Sequence, residues 1–194
     1  MAYNINNFSH DNIDVGITSL RNVTMSNLST IERIGINLQV LTPSGWLNAA
    51  HCIIKRVPSQ WLPSNQGLLH EKYNMDDVLT KESLSYVSLE LGCKGRASDK
   101  PHTQLFNSDL YVLVNIDANP DVKGSQVFLV KHLKTFIRQA THVVNDPFVV
   151  VLPSEDMNNA DDALYIPDAA TVNWLKQNGF EFIEPNGCVT MYLK

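Results

Sequence analysis

The sequence predicts a single mixed α/β or α+β domain: a central mixed sheet flanked by about four helices, with a C-terminal β-hairpin. Three observations carry this expectation. Leu110–Val114 and Phe148–Leu152 are unbroken apolar runs, as in strands covered on both faces. Ile36, Leu38 and Val40 alternate with Asn37 and Gln39, the period of a half-buried strand. Between such segments, apolar residues recur at helical spacing.

In chain order, residues 1–24 are rich in Asn, Ser and Thr without periodicity and read as a poorly structured N-terminal arm, so the globular domain is expected over 25–194. Ser26 can cap a short helix through Ile34, with Leu28, Ile31 and Ile34 on its apolar side. The strand 36–42 follows and turns at Pro43-Ser-Gly45. Trp46, Ala49, Ala50, Ile53, Ile54 and Val57 lie on one face of a helix that Pro58 ends. Residues 58–82 read as a long irregular connection, a class that is often functional.

Tyr86–Leu91 alternates again and is expected as a strand, followed by the apolar run at 110–114. Gln126–Val130 reads as a further strand leading into a helix over 132–142, with Leu133, Phe136, Ile137 and Ala140 facing inward. After the strand at Phe148–Leu152, a helix runs from Asp168 to Gly179. Two last strands flank Asn186-Gly187, a hairpin turn signal, and should dock on that helix.

Composition excludes several classes. The 194 residues include 15 Lys and Arg against 20 Asp and Glu, and 44% are hydrophobic. That is too apolar for intrinsic disorder, and the chain is long enough to bury roughly 70% of its unfolded surface. No stretch approaches the apolar length of a membrane span, so no membrane partner is expected. The opening residues lack a basic region followed by an apolar run, so the expected location is cytoplasmic. Cys52, Cys93 and Cys188 form neither a disulfide framework nor a CxxC knuckle. Charge is uneven: residues 139–194 hold two basic against eight acidic side chains, while 94–138 hold seven basic against four acidic.

Several motifs come close to known chemistry. Leu47-Asn-Ala-Ala-His51-Cys52 resembles the segment around the catalytic histidine of chymotrypsin-like serine proteases. That family's Gly-Asp-Ser-Gly-Gly loop, which shapes the oxyanion hole, is replaced by Lys123-Gly-Ser125-Gln-Val127, and His51 falls within a helical pattern. The protease is therefore rejected. His70-Glu71-Lys72-Tyr73-Asn74 lacks the second histidine of a zinc-protease helix. His51, Cys52, Cys93 and His102 have no finger spacing, and no phosphate-binding glycine motif is present.

A carboxylate–lysine constellation carries the first functional expectation. Asp76 and Asp77 precede the strand whose outward side bears Glu90, and Lys94, Arg96 and Lys100 follow. This layout resembles the PD-(D/E)XK nuclease core, although no proline precedes the aspartate and the lysine falls two places late. The resemblance implies phosphodiester hydrolysis of DNA or RNA. Asp77 and Glu90 would hold Mg2+, and Lys94 would complete the catalytic set by stabilising charge. The alternative is a non-catalytic module that binds a protein partner through its acidic C-terminal third.

Overall fold

The structure, a computed structural model, describes residues 2–21, 32–57, 109–151, 169–182 and 191–194. Nine strands lie among them: β1 (Tyr3–Asn4), β2 (Ile13–Arg21), β3 (Glu32–Thr42), β4 (Gly45–Val57), β5 (Leu110–Ala118), β6 (Val122–Lys123), β7 (Phe148–Val151), β8 (Phe180–Phe182) and β9 (Met191–Leu193). Two α-helices also lie among the described residues, α1 (Ser125–Thr141) and α2 (Ala169–Gln177). Two 3-10 turns, Ile5–Asn7 and His10–Asn12, separate β1 from β2. A seven-stranded mixed sheet has the order β2-β3-β4-β5-β7-β9-β8, and β1 with β6 forms a separate two-stranded sheet. The class is α+β with a large mixed sheet, as expected. No helix among the described residues is long and apolar enough to cross a membrane.

The described residues fall into two compact units, and β5 contributes to both. In the first unit, Ile34, Ile36, Leu38 and Val40 of β3 are buried on one face, so alternation became a strand as expected. β2 pairs antiparallel with all of β3 from Ile13↔Val40 to Arg21↔Glu32. β4 returns antiparallel through the turn at Pro43 and Ser44, where Gly45 takes a φ of 115° that a side chain would resist. Helix α1 packs on β2 and β3 through Leu129, Leu133 and Ile137, all fully buried. At its C-terminal end, Lys134 and Arg138 both pair with Asp146, the Lys134 contact at 2.7 Å.

In the second unit, the start of β5 runs parallel to β7, from Leu110↔Phe148 to Val112↔Val150. Both segments are buried throughout, the outcome that their apolar runs predict. β9 is antiparallel to β7 and to β8. The Phe148 ring stacks on Tyr192 at 5.5 Å. α2 packs on β8 with Leu175 buried, so the C-terminal strands meet the helix as expected. Asn186-Gly187 lies outside the described residues.

Five expectations need correction. About four helices were expected and two are found among the described residues. Trp46–Val57 is not a helix but strand β4, because a bulge shifts the phase of an ordinary alternation. The helix expected through Ile34 gives way at Glu32 to β3, and its earlier residues lie outside the described set. Gln126–Val130 is not a strand but the first turns of α1. Leu129, Val130, Leu133, Phe136 and Ile137 share one helical face that begins before residue 132. Within the expected loose arm, residues 3–21 carry β1, two turns and β2. Ile13, Val15 and Ile17 of β2 alternate with Asp14, Gly16 and Thr18, and the ladder to β3 pairs the backbone groups on one side of the strand.

Candidate functional site

Asp77, Glu90 and Lys94, with Asp76, His70, Cys93 and His102, lie outside the described residues. The described residues bring together a different set of groups, at the junction of β4, β5 and α1 in the first unit.

The junction starts from the bulge. Leu38 pairs with Ala50 and Gln39 with Asn48, so Ala49 has no partner opposite it. Before Ala49 the side chains of Trp46 and Asn48 are exposed; after it Ala50, Cys52 and Ile54 are buried. The Ala49 carbonyl is taken up by the connection between β5 and α1. It accepts the Asn119 N–H at 2.9 Å and lies 2.8 Å from the buried Ser125 hydroxyl, which is also 2.9 Å from the Val122 carbonyl. The Asn119 side chain donates to the Asn48 carbonyl at 2.9 Å and accepts the Asp121 N–H at 2.9 Å. Both ends of the connecting turn are thus fastened to the bulge.

These contacts also decide the fate of two sequence motifs. The Ser125 hydroxyl is fully buried and committed to backbone carbonyls, so it is no nucleophile for His51. His51 and Cys52 are neighbours on a strand and face opposite sides, which prevents them from sharing a metal ion. Burial pushes the Cys52 thiol up to about 12, far from the thiolate that binds zinc.

On the open side of the strands, polar groups gather near the bulge. Asn37 is opposite His51, and the Gln39 carboxamide donates to Asn48 Oδ1 at 2.6 Å. Asp117 Oδ2 accepts from Asn115 Nδ2 at 2.7 Å and lies 4.0 Å from His51 Nδ1. At that separation the His51–Asp117 contact is an electrostatic one rather than a hydrogen bond. Among the described residues no group of three His, Cys, Asp or Glu side chains is placed to hold a metal ion.

The last component is the start of α1. Gly124 occupies the N-cap in the left-handed region (φ 80°, ψ −3°) and makes no side-chain capping bond. The first intrahelical bond runs from the Phe128 N–H to the Gly124 carbonyl at 2.9 Å. The amides of Ser125, Gln126 and Val127 precede that bond and have no carbonyl one turn back within the helix. No acidic residue occupies the first turn, and exposed Lys123 stands immediately before the cap. Amide donors, helix dipole and lysine therefore add with the same sign.

Little of this junction is visible in the sequence. A bulge is defined by its partner strand, and the reading of 126–130 as a strand moves the helix start seven residues late. The available signal was Lys123-Gly-Ser125 between an apolar run and a helical period. The chain matches no known protein-family model, no curated protein and no solved structure.

Proposed function

We propose that this chain binds a small phosphate-bearing molecule at the β5–α1 junction. The observation that carries the reading is a helix start that lacks a side-chain cap, preceded by exposed Lys123 and tied to the bulge of β4 through Ser125. Helix α1 follows the carboxyl end of β5, and β5 runs parallel to β7, the next strand of the same sheet in the chain. In sheets with such crossovers, ligands bind outside the carboxyl ends of the strands and phosphates sit on the following helix N-terminus. Here the phosphate would take the amides of Gln126 and Val127 with Lys123 beside it.

Titration with inorganic pyrophosphate, followed by amide NMR, tests this reading. The amides of Gly124–Val127 should shift saturably, and Lys123→Glu should weaken binding about tenfold by reversing a charge at the anion. Absence of any shift at these amides in the unaltered chain overturns the reading.

The nuclease remains a proposal from the sequence layout of Asp77, Glu90 and Lys94 with Mg2+, and it would make the bound phosphate a phosphodiester. It requires Mg2+ to raise the melting temperature and to support cleavage of plasmid or RNA, and Glu90→Gln to remove both responses. Binding of a protein partner by the acidic C-terminal third is the reading left if phosphate and metal both leave the chain unchanged.

A further inference from the structure

We infer that residues 2–8 form a clasp that holds the middle of the β5–α1 turn, so that affinity for the proposed phosphate depends on the chain's first residues; this regulation rests on the phosphate reading above. The turn has two independent tethers. Asn119 and Ser125 fix its two ends to the Ala49 bulge. Its middle carries bonds within the turn, among them the Val122 N–H to the Asn119 carbonyl at 2.9 Å, and is also held from outside it. β1 pairs in parallel with β6, Tyr3 opposite Val122 and Asn4 opposite Lys123, and the Tyr3 N–H donates to the Asp121 carbonyl at 2.7 Å.

Two residues per strand cannot sustain a sheet by hydrogen bonding alone, so side-chain burial must hold it. Ile5 is 2% exposed and Val122 1% exposed. Ile5 also lies directly against Gly124: a Cβ built at Gly124 would come within 3.2 Å of Ile5 Cγ2. The clasp is itself braced. Asn4 Oδ1 accepts the Asn6 N–H at 3.0 Å, the Phe8 N–H donates to the Ile5 carbonyl at 3.1 Å, and the Tyr3 and Phe8 rings lie 6.0 Å apart. Loosening the clasp therefore leaves Asp121–Gly124, including Lys123, with only the turn's own bonds, while the bulge still holds the turn's ends. The effect should fall on ligand affinity and local order rather than on the fold.

The test uses the full chain carrying Ile5→Ala, with Asn4→Ala as an exposed second site that removes the bond to Asn6 while sparing the core. Hydrogen exchange should speed up about tenfold or more at the amides of Val122–Gly124, with Ile36, Leu38 and Val40 of β3 unchanged. Affinity for inorganic pyrophosphate should fall at least about fivefold in the same samples. Unchanged exchange at Val122–Gly124 in both variants overturns the clasp, as does an acceleration shared equally by β3. If Ile5→Ala fails to fold, the Asn4→Ala exchange pattern decides alone. Failure of the unaltered chain to bind pyrophosphate overturns the phosphate reading and the control of affinity with it, while the exchange data still decide whether the clasp exists.

Discussion

β3 and β4 are neighbours that bury their apolar residues by different means. β3 keeps one phase for all 11 of its residues, and Ile34, Ile36, Leu38 and Val40 enter the core at strict intervals of two. β4 changes phase at Ala49, so Ala50, Cys52 and Ile54 face inward although Trp46 and Asn48 upstream face out. The change takes one residue out of the ladder. Its carbonyl is then available to a segment about 70 residues away in the chain, and Asn119 and Ser125 use it. The regular strand builds the core, and the irregular one joins the core to the candidate site.

The sharpest way to break this contrast is to truncate one residue of each strand. Leu38→Ala should cost about 2–5 kcal/mol, because the site is fully buried between packed elements. Trp46→Ala removes a larger side chain that is 52% exposed, and should change stability by no more than about 0.5 kcal/mol. Chemical denaturation of the two variants measures both. A Trp46 loss equal to that of Leu38 would place the start of β4 under the same packing constraint as β3.

A smaller effect tests the junction. Ser125→Ala deletes the hydroxyl shared by the Ala49 and Val122 carbonyls and should cost about 1 kcal/mol. Ala49 keeps the Asn119 N–H, so β3–β4 pairing should persist while exchange accelerates across residues 119–125. Equal acceleration in β3 would mean that the bulge contact supports the core rather than the turn.

The same contrast explains what the sequence disclosed. Strict alternation and unbroken apolar runs are local signals, and β3 from Ile36 onward, the first half of β5 and β7 follow from them. β4 reads as a helix because a one-residue phase shift spaces Trp46, Ala49, Ala50, Ile53, Ile54 and Val57 as a helical face would. β2 escaped notice because it lies at the sheet edge and mixes Ile13, Val15 and Ile17 with Asp14, Thr18 and Ser19. The junction is still less legible. The Ala49 bulge, its contacts with Asn119 and Ser125, and the seat of Ile5 against Gly124 all join residues far apart in sequence. No local pattern specifies them. Asp77, Glu90 and Lys94 were legible only as residue types at a spacing.

The depth of Cys52 gives the first unit a built-in clock. Its thiol is buried within β4 and pushed up to about 12, so in the folded chain it is held as the unreactive thiol. An alkylating reagent can modify that sulfur at an appreciable rate only after the strand has opened and the thiol has returned to its ordinary acidity. With reagent in excess, the rate at which Cys52 becomes labelled approaches the rate at which the β3–β4 core comes apart. Peptide mapping of the labelled chain would then time the opening of this core by a native sulfur atom, with no probe introduced.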